Sequence, residues 1–535
     1  MKRITYLLVL SLLIGCGGGG GEGGGDPKKQ SVAPVISGLN YVPVSATVNE
    51  GRGDAYIRGV INFVDPEGDV VELWLSTSNG GSQVIYLPSV GATTGSIEGL
   101  FYVPTAQVGS FDFNVWVVDG HGNKSNVLSG KFTITQDLDT SFGQGGIVID
   151  DDALSGFNEE AIGVVLQTDG KIVVAVSAFN GLSDDVLIKR YNADGSPDTN
   201  FAASGTFTFD SGGPEVANAV AMQLDGKIVV VGTIHHNVLV MRLNSDGTLD
   251  NTFGTNGVAI TDFSNYGENG YAVAIQSDGK LVIAGDIGIG GTDSQALLLR
   301  YNRNGTLDST FGTNGFVTYD GIGWTIAYGV SIQQDNKIVV TGNTSETSST
   351  LALTDLLVLR YNSDGTVDTA FGTNGVVTYN SIYESGRAVL VQNDGRIVVG
   401  GTRWDYASIN DAALIIRLNS DGTLDSAFGQ DGVFIYKKEY GFPSIAGKAL
   451  AMSSDGKIVL VGFINTDLLV IRVTSDGSYD TTFSADGISY VSSGGYAKGS
   501  GVVLQSDGSI IAVGNSTFHD QYSDEAVFLS KLTGH

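Results

Sequence analysis

Past residue 137 the chain alternates short runs of Val, Ile, Leu and Ala with tight polar turns, and the alternation has a long period. The stretch Asn244-Ser245-Asp246-Gly247-Thr248-Leu249-Asp250-Asn251-Thr252-Phe253-Gly254-Thr255-Asn256-Gly257 recurs in close copies. Their aromatic residue falls at Phe142, Phe201, Phe253, Phe311, Phe371, Phe428 and Phe483, at spacings of 52 to 60 residues. A period of that length marks a repeat architecture and governs the fold more than any single segment does. Each full period holds four strand-sized segments, in one case 271–276, 280–285, 296–301 and 315–319. Asp-Gly-Lys turns join the first two segments at 169–171, 225–227, 278–280 and 455–457, with variants at 335–337, 394–396 and 507–509. Asp-Gly is a strong signal for a two-residue hairpin turn whose central residues both take φ > 0. Four strands per repeat and seven repeats predict an all-β fold, a seven-bladed β-propeller over 137–535.

Crowding points to the innermost strand. Eight residues before each hairpin Asp stand Ala161, Ala217, Gly270, Ala327, Gly386, Gly447 and Gly499; six before stand Gly163, Ala219, Ala272, Gly329, Ala388, Ala449 and Gly501. Strict alternation puts both rows on one face, and a face of Gly and Ala alone suits the place where blades converge. The opposite face then carries Val164, Val220, Val273, Val330, Val389, Leu450 and Val502 for packing between blades. The array opens on an outer strand near 147–150 and stops after a third strand at 529–532, so the first strand is expected to complete the last blade and remove the open edges. Two charges keep step with the repeat. Arg190, Arg242, Arg300, Arg360, Arg417, Arg472 and Lys531 end the third strands, and Asp198, Asp250, Asp308, Asp368, Asp425, Asp480 and Asp139 stand three residues before the Phe. These are expected to pair within each blade, with Lys531 and Asp139 bridging the closure. The other reading makes the Asp residues metal ligands, but the spacing lacks a full calcium loop.

Residues 33–136 lack the repeat. Short runs at 58–64, 70–76, 83–87, 99–103, 111–118 and 131–135, separated by turns at 65–69 and 119–123, predict an Ig-like β-sandwich with Trp116 in its core. Ahead of it, Lys2 and Arg3 precede an apolar stretch, 4–14, too short to span a bilayer, which marks 1–15 as a signal peptide. Cys16 is the sole cysteine, so a single chain can form no disulfide and no cysteine-built metal or nucleophile site. The Gly-rich segment within 16–32 reads as a flexible tether.

Charge narrows the partners. The formal net charge is −28, and loss of Lys2 and Arg3 with the leader makes it two units more negative. Such a surface repels phosphate backbones and anionic headgroups, which argues against nucleic acid as a partner. The five histidines, His121, His235, His236, His519 and His535, fall in no HExxH or nucleophile motif, so the sequence nominates no catalytic residue and requires no cofactor.

Near-identical turns at one end of the ring leave variable loops, such as 177–185, 286–295, 343–355, 402–411 and 515–525, at the other. Variable loops on a rigid scaffold are where binding concentrates. That end carries Trp324, Tyr328, Tyr383, Trp404, Tyr406, Tyr440, Phe442, Phe518, His519 and Tyr522. These are a candidate ligand-binding face, since aromatics stack on sugars or anchor a protein, or else they pack locally. Ten residues before the hairpin Asp, Glu159, Glu215, Glu268 and Glu384 form either a cation site at the channel mouth or a solvated acidic rim. In the N-terminal region Asp65, Glu67 and Asp69 either hold calcium through hard oxygen ligands or cap a polar turn.

Five stretches carry three family resemblances. Leu13-Ile14-Gly15-Cys16 resembles the lipobox of bacterial lipoproteins, which implies that Cys16 becomes the lipidated first residue and that its acyl chains contact the membrane. Gly17 in the next position implies sorting to the outer membrane. The turn 65–69 and the run Val115-Trp116-Val117-Val118-Asp119-Gly120 resemble bacterial Ig-like and cadherin-like envelope modules, some of which hold calcium in such turns. The segments GYAVAIQSDGKLVIAG, 270–285, and LLVLRYNSDGTVDTAFGTNG, 356–375, resemble the delta-60 repeat family of bacterial surface and secreted proteins. That family implies an envelope or extracellular β-propeller with no shared catalytic residue. The expectation is a monomeric, non-enzymatic lipoprotein of the cell envelope, probing an envelope protein or polysaccharide with one face of the ring. The competing expectation is a carbohydrate-active hydrolase or lyase; a glycosidase needs two carboxylates about 5–10 Å apart across its substrate.

Overall fold

The computed structural model describes residues 31–42, 45–47, 54–78, 82–87, 92–104, 109–135, 137–150, 158–263, 267–290, 293–321, 323–345, 354–380, 383–405, 410–438, 444–484, 486–517 and 525–534. Residues 1–30, which include Cys16, the stretch expected to be a signal peptide and most of the expected tether, lie outside them. Every regular element among the described residues is a strand, and the chain divides into two units after residue 136.

In the first unit, Val35–Val42, Asp54–Val64 and Thr94–Pro104 form one sheet in that order. Ser45–Thr47, Leu128–Thr135, Gly109–Asp119, Val70–Thr77 and Ser82–Tyr86 form the other. Alternate residues of both sheets, among them Ile61, Phe63, Leu73, Leu75, Phe113, Val115, Val117 and Phe132, share one buried core. Trp116 is not part of it. A period of two places it on the face opposite Val115 and Val117, where it is half-buried, its ring stacked 5.8 Å from that of Trp74 with Lys124 Nζ 3.7 Å above.

The second unit holds seven four-stranded sheets among the described residues. Sheet one is Glu159–Leu166, Ile172–Phe179, Asp184–Tyr191 and Thr206–Phe209 in order. Sheets two to six repeat this order from Glu215–Met222, Glu268–Ile275, Thr325–Ile332, Glu384–Val391 and Ile445–Met452. Sheet seven runs Tyr496–Leu504, Ile510–Thr517 and Glu525–Leu532, and takes its fourth strand, Ile147–Asp150, from the start of the unit. Val527 there pairs with Asp150 and Ser530 with Ile147, so the expected closure is made. First strands lie side by side from sheet to sheet and from sheet seven back to sheet one, which makes a closed ring with the first strands innermost. Second strands are buried on both faces and read as continuous apolar runs for that reason. Val173 and Ala175 of sheet one, for instance, pack with Ile228 and Val230 of sheet two.

Two details correct the sequence reading. Only the glycine of each Asp-Gly turn is left-handed, with φ of +84° at Gly170 and +83° at Gly226, and Asn336 takes its place in sheet four. Bonds from Gln167 N to Lys171 O and from Gly170 N to Gln167 O close a three-residue loop, a type I turn followed by one left-handed residue, instead of a two-residue turn. Each first strand also carries a bulge. Ala161 faces Val176 but Gly163 faces Ala175, and the same shift recurs in the other six sheets. Val176 and Ala175 point to opposite faces, so the two small rows do too, and Val164 shares the face of Ala161. The small residues answer to the neighbouring sheets: a Cβ on Gly270 would stand 2.7 Å from Val231, and one on Gly163 3.3 Å from Val220.

The paired charges form in all seven sheets. In sheet three Arg300 Nε lies 2.7 Å from Asp308 Oδ2, and across the closure Lys531 Nζ lies 2.9 Å from Asp139 Oδ2. The sequence reading missed the further partners. The hairpin Lys280 reaches the same Asp308 oxygen at 2.8 Å, and the guanidinium stacks 4.6 Å from the centroid of buried Phe311. Arg300 then donates to the Ser363 carbonyl in the turn of sheet four, while Gly312 N–H donates to Asp364 O at 2.8 Å. Each set therefore ties its own sheet and grips the next. These charges hold the carboxyls low. Asp198 falls to about 2, chiefly through the Lys171 hydrogen bond; at Asp480 burial pushes upward but Thr482, Lys457 and Arg472 outweigh it, again to about 2.

Asp308→Asn leaves two inward cations uncompensated and is expected to destabilise the ring by about 3–5 kcal/mol. Asp139→Asn, whose pair is more exposed, should cost about 1 kcal/mol or less; urea denaturation of both variants checks the contrast. Depressed carboxyl pKa values contribute stability above the unfolded value near 4 and lose it as pH falls toward 2. Melting temperature should thus be insensitive to these groups down to about pH 4 and drop between about pH 4 and 2, as read by circular dichroism.

Candidate functional site

Each first strand starts at the end of the ring opposite the hairpin turns, so the loop entering it and the loop leaving the second strand share one end. Trp324 stands just before Thr325–Ile332, 42% exposed, with its backbone N–H and C=O bonded to Ser345 Oγ and N. In the next sheet Tyr383 stands just before Glu384–Val391 and accepts the backbone N–H of Trp404, 2.9 Å away; both side chains are half-buried. These three candidate aromatics thus sit on adjacent sheets at the expected end. Tyr406, Tyr440, Phe442, Phe518, His519 and Tyr522 lie outside the described residues.

Tyr328 belongs to a different feature. It is the bulge residue of its first strand, and the equivalent positions are Ile162, Asn218, Tyr271, Arg387, Lys448 and Ser500. Asn218, Tyr271, Tyr328, Arg387 and Ser500 reach from one innermost strand to the next. Asn218 Nδ2 donates to Gly270 O at 2.8 Å, Tyr271 and Tyr328 meet at 5.4 Å between centroids, Arg387 lies 4.0 Å over Tyr328, and Ser500 Oγ bonds the Ala161 carbonyl. Burial, then the charge of Arg387, lowers the pKa of Lys448. The sequence signal was available: one unrestricted residue between two that are always Gly or Ala.

The four Glu residues do not form a solvated rim. Position 159 shares a strand face with 161, the face packed against the neighbouring sheet, and all four side chains are buried, from 7% exposed at Glu159 to 0% at Glu215, Glu268 and Glu384. Lys189 Nζ is 2.8 Å from Glu159, and Arg403 Nε is 3.6 Å from Glu384. Glu215 meets Ser211 Oγ and, at 3.6 Å, His235 Nε2; neither oxygen of Glu268 has a hydrogen-bond partner among the described residues.

Among the described residues, two places gather side chains with the chemistry to hold a hard cation. In the first unit Asp65, Glu67 and Asp69 bring oxygens within 4.8 Å of one another, with Asp119 and His121 beside Asp69. Asp65 is already engaged in its turn, accepting the N–H groups of Glu67 at 3.3 Å and Asp69 at 2.7 Å. In the second unit Asp185, Asp210 and Glu215 converge within the same distance. Sequence spacing gave no hint of this group, because its members come from three separate elements of two sheets.

Six segments, 167–201, 223–253, 276–311, 333–371, 392–428 and 453–483, match the family described as a domain of unknown function (DUF5122) beta-propeller. The protein is a β-propeller. No curated protein matches it. Solved structures similar to the propeller chain include a protein of unknown function from Dyadobacter fermentans, 11% identical with a TM-score of 0.38, over 72% of this chain and 99% of that one. Another is an ulvan lyase, a polysaccharide lyase bound to a GlcA(1-4)Rha3S saccharide, 10% identical with a TM-score of 0.41, over 73% and 96%. A third is an acylaminoacyl peptidase, 10% identical with a TM-score of 0.35, over 70% and 52%.

The contrast between the buried cations and the exposed aromatics is testable in the propeller. Lys189→Met removes the cation 2.8 Å from buried Glu159 and should cost about 3–5 kcal/mol. Trp324→Ala should change stability by less than about 0.5 kcal/mol. Chemical denaturation of both variants provides the comparison.

Proposed function

We propose that the chain is a lipid-anchored, non-enzymatic binding protein of the bacterial cell envelope, a seven-bladed β-propeller of delta-60 repeats that offers one end of its ring to an envelope protein or polysaccharide. In this reading acyl chains on Cys16 make the membrane contact at the outer membrane or cell surface, after removal of 1–15. The segment 16–32 is the tether, and 33–136 is an Ig-like module in which Asp65, Glu67 and Asp69 are the calcium candidates.

One observation carries the reading, the difference between the two ends. At the hairpin end each sheet spends the same Asp, basic residue and Phe on gripping its neighbour. At the other end Trp324, Tyr383 and Trp404 remain at least partly accessible on adjacent sheets. Rigid aromatics backed by a fixed scaffold lose little entropy on binding and stack on sugars or fill a partner's pockets. The acidic surface favours partners other than nucleic acid and anionic headgroups.

The second reading, a carbohydrate-active hydrolase or lyase, draws on Asp185 and Glu215. They are two close carboxylates, and burial together with neighbouring Asp210 raises the pKa of Asp185. Both are buried, however, and only Asp210 of that group is exposed.

A pull-down from envelope extract with soluble residues 32–535 distinguishes the two. Recovery of a defined protein or glycan, reduced at least about tenfold by Trp324→Ala with Trp404→Ala, is the expected result. Recovery untouched by those changes moves the site elsewhere, and shortened polysaccharide with nothing recovered replaces the binding reading with the enzymatic one.

A further inference from the structure

Sheets one and two meet at the variable end around three acids. Asp185 lies at the start of Asp184–Tyr191, Asp210 just after Thr206–Phe209, and Glu215 opens Glu215–Met222, with oxygens of all three within 4.8 Å of one another. Asp185 and Glu215 are only 6% and 0% exposed, whereas Asp210 is open to solvent. Each buried acid has one oxygen engaged: Asn180 Nδ2 donates to Asp185 Oδ2 at 2.8 Å, and Ser211 Oγ donates to Glu215 Oε1. The other oxygens, Asp185 Oδ1 and Glu215 Oε2, are buried without a hydrogen-bond partner among the described residues. Among the described residues no Lys or Arg forms an ion pair with any of the three. The nearest cationic candidate is the half-exposed imidazole of His235, whose Nε2 lies 3.6 Å from Glu215 Oε1 and 3.1 Å from Ser211 Oγ.

The repeats supply an internal comparison. The equivalents of Glu215 in sheets one and five are Glu159 and Glu384, and each has a cation from the chain itself, Lys189 at 2.8 Å and Arg403 at 3.6 Å. The position that takes Arg403 opposite Glu384 in the strand pairing is occupied by apolar Ile234 opposite Glu215. Sheet two therefore keeps the buried acid and omits the built-in cation, and Asp185 and Asp210 of sheet one converge on that acid. Buried carboxylates remain charged only when a cation or several N–H donors face them.

We propose that Asp185, Asp210 and Glu215 bind one divalent cation at the junction of sheets one and two, with His235 Nε2 placed to supply a further ligand. Three carboxylates select a hard ion of the calcium and manganese class, and an imidazole ligand favours manganese over calcium. The ion takes the part that Lys189 and Arg403 play elsewhere in the ring. It would also join the segment 210–215 to the His235-His236 turn, whose two residues are both held at positive φ, +47° and +67°. The proposal is independent of the binding reading above.

The test uses the full chain, stripped with chelator and titrated calorimetrically with Mn2+ and with Ca2+. Saturable binding of one ion in this unit is expected, weakened at least about tenfold by Glu215→Gln or Asp185→Asn and unchanged by Asp69→Asn in the first unit. Thermal melting guards against misfolded variants. Ion addition should raise the melting temperature of the unsubstituted chain by about 2–5 °C and leave Glu215→Gln unmoved. In chelator Glu215→Gln should melt no lower than the unsubstituted chain, because no Lys or Arg among the described residues pairs with the lost charge and the amide oxygen can still accept from Ser211 Oγ. No saturable binding of either ion up to about 1 mM overturns the proposal. So does binding that survives both Glu215→Gln and Asp185→Asn, or that only Asp69→Asn removes. Mn2+ affinity unchanged by His235→Ala overturns the assignment of that ligand.

Discussion

The ring depends on one composite contact: in six sheets a buried Asp is held by the Arg of its own third strand beside a buried Phe, and at the closure Lys531 and the half-buried Asp139 take those places beside Phe142. In sheet three Asp308, Arg300, Lys280 and Phe311 meet within a few ångströms, and the same guanidinium reaches the Ser363 carbonyl of the next sheet. A paired, hydrogen-bonded charge is the form in which a charge tolerates burial, and the planar guanidinium can serve carboxylate, ring face and carbonyl at once. The arrangement fixes the angle between sheets more tightly than apolar packing alone could, since packing tolerates small slides and a directed hydrogen bond does not.

That contact also explains why the two ends differ in freedom. The hairpin end repeats one set of charged groups that holds sheet to sheet, so its turns keep nearly the same sequence from one sheet to the next. At the opposite end the strands emerge without such a set, and the chain there carries Trp324, Tyr383 and Trp404 and loops of differing length. Closure by Ile147–Asp150 makes this division sustainable, because it seals the ring without calling on the variable loops.

Repetition makes departures legible as well. Glu159 and Glu384 show what the wall does with a buried acid when a Lys or Arg is at hand. Against them, Glu215 with Asp185 and Asp210 stands out as negative charge gathered with no Lys or Arg paired to it among the described residues. The bulge row is a second departure of this kind. It is the one position of the innermost strand that escapes the Gly and Ala restriction, and it carries Asn, Tyr, Arg, Lys and Ser side chains between strands.

Whatever depends on local chemistry and on period was legible in the chain alone. The sevenfold repeat of Phe142 through Phe483, the Asp-Gly hairpins, the pairing of Arg300 with Asp308 and its equivalents, and the borrowed strand at the closure could all be read from spacing. They could be read because each repeat presents the same pattern, so an ambiguous copy is corrected by the others. Which face a side chain occupies, and what it meets there, was settled only in three dimensions. The bulge after Ala161 reverses the alternation that strict counting assumes. The same register turns Glu159, Glu215, Glu268 and Glu384 into the wall, and the plain alternation of its own strand sends Trp116 to the outer face of its sheet. The group of Asp185, Asp210 and Glu215 belongs to no linear motif, because proximity between sheets is created by ring geometry and leaves no fixed spacing in the chain.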